Sequence, residues 1–159
     1  MSSLDQTLSR VAERAFEGLA FMFSMSEDEA DAAGSPSAAA RVAFAGPLRG
    51  ELVVSVSESM LPDLAANMLG LDDAVSPTSE EQQDALKELA NVVCGHLLPE
   101  IAGAEAVFDV RAPGILSSER LAQRCLQRKP SATARLWLDA GRATVMLFVD
   151  QSTSGAQGR

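Results

Sequence analysis

Leu4, Leu8, Val11, Ala15, Leu19 and Met22 recur at spacings of three and four, which predicts an amphipathic helix from Leu4 to Phe23. The acidic and small-residue stretch Glu27–Ala39, with Gly34-Ser35-Pro36-Ser37 at its centre, reads as a loop. Two β-rich runs follow, Ala40–Ala45 and Glu51–Ser57. Gly46 and Gly50 between them permit a tight reversal, so the pair reads as a hairpin. Ser59–Leu69 returns to helical spacing, with Pro62 tolerated in the first turn and Gly70 as the stop. Thr78 stands three residues before Glu81, the capping-box spacing. It opens a long third helix that runs to about Ile101 and is strained or ended near Pro99. Ala106–Arg111 alternates as a strand broken by Pro113-Gly114, and Ser117–Arg128 is helical. A second hairpin, Ala132–Leu138 and Ala143–Val149, turns at Asp139–Arg142, and a polar tail, 151–159, is expected to be disordered.

The two halves echo each other. Ala40-Arg41-Val42-Ala43-Phe44 and Gly50-Glu51-Leu52-Val53-Val54 have counterparts in Ala134-Arg135-Leu136-Trp137-Leu138 and Gly141-Arg142-Ala143-Thr144-Val145. Each half is a helix followed by a hairpin, although strand alternation alone gives some of this likeness. The expected fold is α+β: one domain over residues 1–150, a helix–hairpin pseudo-repeat whose mostly antiparallel sheet is covered by long helices.

Along the third helix Leu86, Leu89, Ala90, Val93, Leu97 and Ile101 gather on one side and must face the core. The opposite side carries Asp84, Glu88, Asn91 and Gly95 at spacings of four, three and four, a continuous surface ridge. A glycine inside a helix costs on the order of 1 kcal/mol against alanine, and here it clears space one turn beyond an amide. Something can approach closely there; the plain alternative is a solvated helix face with an incidental glycine.

Composition narrows the chemistry. A formal charge of −9 opposes phosphate backbones, so DNA and RNA are not expected partners. No apolar run approaches the roughly 20 residues of a membrane span, and Met1–Asp5 lacks the pattern of a secretory signal. A cytoplasmic protein without membrane contact is the expectation. The two cysteines, Cys94 and Cys125, sit in apolar helical stretches and read as reduced, partly buried thiols. Trp137 and the methionines read as core or dimer-surface filling. Nothing in the chain resembles a metal-ligand cluster, a nucleophilic triad or a Gly-rich phosphate loop, so no metal and no resident cofactor is expected.

Asp84-x3-Glu88-x2-Asn91 resembles the signature of the CheC/CheX/FliM group of chemotaxis phosphatases, and Asn91-Val92-Val93-Cys94-Gly95 is similar to its continuation. Phe108–Pro113, the Gly46–Val56 hairpin and Met68-Leu69-Gly70 extend the likeness over most of the chain, with Pro113 about one residue early. In the first helix Ser9-x3-Glu13-x2-Phe16 keeps the frame but replaces the amide by an aromatic ring. A single competent site resembles CheX-like domains more than CheC. The resemblance implies a homodimer that hydrolyses the phospho-aspartate of a CheY-like response-regulator receiver, whose Mg²⁺ belongs to the receiver. It also implies the roles: Asn91 orients the attacking water, Glu88 docks the receiver's lysine, and Asp84 and Gly95 complete the docking surface. His96 projects beside the ridge and is not needed as a base. The rival reading is a non-catalytic receiver-binding or flagellar-switch-like adaptor. A small-molecule binder has no convergent polar cluster in the sequence to support it.

Overall fold

In the computed structural model, residues 2–25, 37–72 and 74–150 are described. The tail from 151 and most of the expected 27–39 loop fall outside them; residues 37–39 prove to be strand.

α1 (Ser3–Ala20) starts on a capping box in which the Ser2 hydroxyl accepts from Asp5 N–H and the Asp5 carboxylate accepts from Ser2 N–H. The other Asp5 oxygen accepts from Thr133 N–H at 2.9 Å, which ties the helix start to a strand and holds the Asp5 carboxyl below its ordinary pKa. α1 ends earlier than its periodicity predicts. Phe21 turns left-handed (φ 55°), which sends Met22 into the core. β1 (Ser37–Ala45) and β2 (Arg49–Ser57) form the first hairpin, and a short 3₁₀ turn (Glu58–Met60) leads into α2 (Leu61–Leu69). Gly70 closes α2 at φ 67°, a conformation that favours glycine.

α3 (Ser79–Ala102) is the longest element. Thr78 Oγ1 accepts from Glu81 N–H and the Glu81 carboxylate accepts from Thr78 N–H. The helix passes through Pro99 unbroken and stops at Gly103, correcting the expected strain at the proline. Of the expected Ala106–Arg111 strand only β3 (Asp109–Val110) is paired, and a strand follows it, β4 (Gly114–Leu116), where Pro113-Gly114 suggests a break. α4 (Ser118–Gln127), β5 (Ala132–Leu138) and β6 (Gly141–Val149) complete the fold.

The sheet order is β3-β1-β2-β6-β5, antiparallel throughout, with β4 alongside β3 on the outer edge of β1. The pseudo-repeat is thus physical: β2 and β6 meet at the centre and their hairpin partners flank them. Alternation sends Ala40, Val42, Phe44, Leu52, Val54, Val145 and Leu147 to the face covered by α1, α2 and α3, which is the main core. The far face carries a smaller cluster of Ala39, Val53, Leu116, Met146 and Phe148, covered by Leu121 of α4. Trp137 is half-buried on that far face against the Arg142 guanidinium, outside the core, which was one of the two places expected for it. Cys94 is buried but Cys125 is exposed, another departure from two partly buried thiols. Among the described residues no helix is long and apolar enough to cross a membrane.

Candidate functional site on α3

α3 is fixed from one side. Ala85, Leu86, Leu89, Ala90, Val93, Cys94, Leu97 and Leu98 are buried against α1, α2 and the sheet, while Ile101 at the end is half-covered. With the helix clamped in this orientation, 3.6-residue periodicity turns Asp84, Glu88, Asn91 and Gly95 outward. Glu88, Asp84 and Gly95 are exposed and Asn91 is half-exposed. The ridge predicted from spacing is therefore a real surface.

Its members differ in how free they are. The Asp84 carboxylate is 3.2 Å from Lys87 Nζ, an exposed pair of little energetic weight. Glu88 and Asn91 have no side-chain partner among the described residues, so both present their full hydrogen-bonding capacity to whatever docks. A Cβ built on Gly95 meets nothing within 4 Å, so the glycine is not required by packing inside the chain. The corresponding frame in α1 ends differently: Phe16 is fully buried in the core, and no second amide ridge exists there.

Beyond Gly95 a groove of about 300 Å³ separates α1 from α3, lined by Arg10, Val11, Arg14, His96, Pro99 and Glu100 as well as Gly95. Arg10 Nη2 is 3.1 Å from Glu100 Oε1 and bridges the two helices, whereas Arg14 has no ion pair among the described residues. His96 is exposed at the groove, beside the ridge and off its line. The sequence reading did not single out the two arginines. Their signal is the i, i+4 spacing on α1, which becomes meaningful only once α1 is known to lie against α3. Among the described residues no three His, Cys, Asp or Glu side chains come together as a metal site.

Burial pushes the Cys94 thiol up to about 11, on the inner side of the same helix, so it is protonated and unavailable as a nucleophile at neutral pH.

Solved structures of similar shape include a chemotaxis protein CheX from Desulfovibrio desulfuricans, 13% identical, covering 94% of this chain and all of that one at a TM-score of 0.69. A putative chemotaxis protein from Desulfovibrio vulgaris Hildenborough is 14% identical, with 94% and 97% of the two chains covered and a TM-score of 0.66. A CheX–CheY–BeF₃–Mg²⁺ complex from Borrelia burgdorferi matches at 14% identity, 92% and 97% coverage and a TM-score of 0.63. At such identities these likenesses speak for the fold. No curated protein matches by sequence. The family model described as chemotaxis phosphatase CheX aligns with residues 38–136, from β1 through the ridge helix into β5. A match over well more than half of the 159 residues shows that the chain belongs to the chemotaxis phosphatase CheX family.

Proposed function

We propose that this protein hydrolyses the phospho-aspartate of a response-regulator receiver, using the α3 ridge. The observation that carries the reading is the pairing of an unpartnered carboxylate and an unpartnered amide one turn apart, on a helix immobilised by its opposite face. Phosphoryl transfer is catalysed chiefly by positioning and charge stabilisation, so a rigid ridge with one well-aimed amide suffices. Asn91 accepts a hydrogen bond from the attacking water and donates another, holding it in line with the breaking P–O bond without competing as a nucleophile. Glu88 docks the helix by pairing with a cation of the receiver, and its lack of an internal partner leaves that charge available. Asp84, already paired with Lys87, stands at the rim, and Gly95 gives the receiver room to approach.

Membership of the CheX family and the CheX–CheY complex among the solved structures of similar shape support a receiver as the substrate. The receiver brings its own Mg²⁺, so the chain needs no metal. Arg14, at the groove beside Gly95, is placed to meet acidic groups of the docked receiver.

The test is to mix the purified chain with receivers carrying labelled acyl phosphate and follow phosphate release. Acceleration over the receiver's own decay is expected. Binding of phosphorylated receivers without any acceleration would replace the enzyme by an adaptor.

A further inference from the structure

On the sheet face turned away from α3 there is a cavity of about 830 Å³, within the size range of small-molecule sites. Five of the chain's thirteen cationic residues line it: Arg41, Arg49, Arg111, Arg124 and Arg128. Such clustering is unexpected in a chain of net charge −9.

At its base lies Glu51, only 5% exposed. Arg41 Nε donates to Glu51 Oε1 at 2.8 Å, and Arg124 Nη1 is 2.8 Å from Oε2. One buried carboxylate is thus shared by two guanidinium groups, which holds both in place and leaves one positive charge uncompensated. Arg128 pairs with Asp150 at 3.1 Å and lies over the Phe148 ring. Arg49 and Arg111 have no ion pair among the described residues. With Asp109 as the remaining carboxylate, five cations face three anions.

The internal repeat shows how the space arises. Ala43 opposite Glu51 in the first hairpin corresponds to Trp137 opposite Arg142 in the second. There the indole fills the far face under the Arg142 guanidinium, 5.3 Å from the ring centre. Here a methyl group and a carboxylate leave the floor open, and the arginines ring it.

We propose that this cavity binds a phosphorylated small molecule of nucleotide size. Planar guanidinium forks match phosphate oxygens in pairs and also stack on flat rings. The volume exceeds what a lone phosphate fills, while Ala43, Ala45 and Ala112 offer an apolar floor for an organic moiety. Glu51 keeps Arg41 and Arg124 fixed before the ligand arrives, so little ordering cost opposes binding. The occupied cavity leaves the α3 ridge free.

Isothermal titration of the full chain with pyrophosphate, ADP and adenosine tests this. ADP is expected to bind saturably, pyrophosphate more weakly, and adenosine not at all, with affinity falling as salt rises. Arg49→Ala and Arg111→Ala, at exposed positions, should each weaken ADP at least tenfold with an unchanged melting temperature. Arg120→Ala, outside the cavity, should leave binding alone. Failure of both phosphates to bind, or equal loss in all three variants, overturns the proposal. Pyrophosphate binding as tightly as ADP would reduce the site to a bare phosphate cradle. Binding of hexaglutamate in place of either phosphate would identify an acidic protein segment as the occupant.

Discussion

The outward placement of Asn91 and Glu88 was legible in sequence because helical periodicity assigns a face to every residue once the apolar stripe is recognised, and the observed burial follows that stripe. The two residues are expected to separate kinetically. Asn91→Ala should slow receiver dephosphorylation on the order of 100-fold, the loss typical of a misplaced reacting group, while receiver affinity stays nearly intact. Its melting temperature should hardly move, since a half-exposed helical site tolerates alanine within about 0.5 kcal/mol. Glu88→Ala should do the reverse, weakening docking more than the rate of the bound complex, and equal effects on both would assign the two residues one shared role. The two cysteines were separable from their neighbours: Val92 and Val93 precede buried Cys94, whereas Gln123, Arg124, Gln127 and Arg128 surround exposed Cys125. Burial raises the Cys94 thiol to about 11 from an ordinary 9.0, so the unfolded chain ionises first as pH rises. Stability from this group is therefore full below about pH 9 and declines between 9 and 11, by at most about 1.4 kcal/mol per pH unit. The chain has no tyrosine and two lysines, so few other groups titrate there. Denaturant midpoints at pH 8 and pH 10 should converge in Cys94→Ala relative to the parent.

Elements with local signals were found, whereas β3 was foreseen only as part of a longer Ala106–Arg111 strand and β4 not at all. Thr78 and Glu81 announce the start of α3 by their own side chains, and Gly70 announces the end of α2 by its backbone freedom. β3 and β4 have no such signal: two and three residues long, they exist because β1 offers an unpaired edge, and only pairing distinguishes them from loop. Pro99 is tolerated inside α3 because it falls within the last turn, where little helix remains to be disrupted. Gly95 carries the prediction at this scale. Nothing in the chain occupies the space its Cβ would take, so Gly95→Ala should stabilise α3 by up to about 1 kcal/mol, seen as a higher melting temperature. If the receiver packs closely on the ridge, the same methyl group should weaken binding; a variant that is more stable and binds equally well would move the docking surface away from Gly95.

At the scale of the molecule, alternation in the two hairpins foretold which residues line the main core, whereas the meeting of the hairpins at β2 and β6 is seen only in the finished sheet. The arginine cavity could not be foretold, since its members come from β1, β2, the β3 region, α4 and the chain beyond it, and only the finished sheet collects them. The same topology bears on self-association, which the family resemblance implies. One outer edge is already occupied: Asp5 accepts from Thr133 N–H, Met25 N–H donates to Trp137 O, and Ser24 bridges to Leu138, so β5 is capped at both ends. The opposite edge, β3 and β4, leaves Val110 and Ile115 more than a third exposed on strands that lack an outer partner among the described residues. Unpaired apolar edges invite pairing with a second copy, and a twofold contact satisfies both copies at once. We therefore expect a homodimer joined at β3 and β4. Light scattering at micromolar concentration should give about twice 16.7 kDa. Ile115→Lys should halve that mass, because it places a charge in the contact, yet leave the monomer folded, since the side chain is already 42% exposed. A parent protein that scatters as a monomer would remove the dimer altogether. A dimer untouched by Ile115→Lys would move the contact to another face, with the exposed Phe21 and Phe23 the next positions to change.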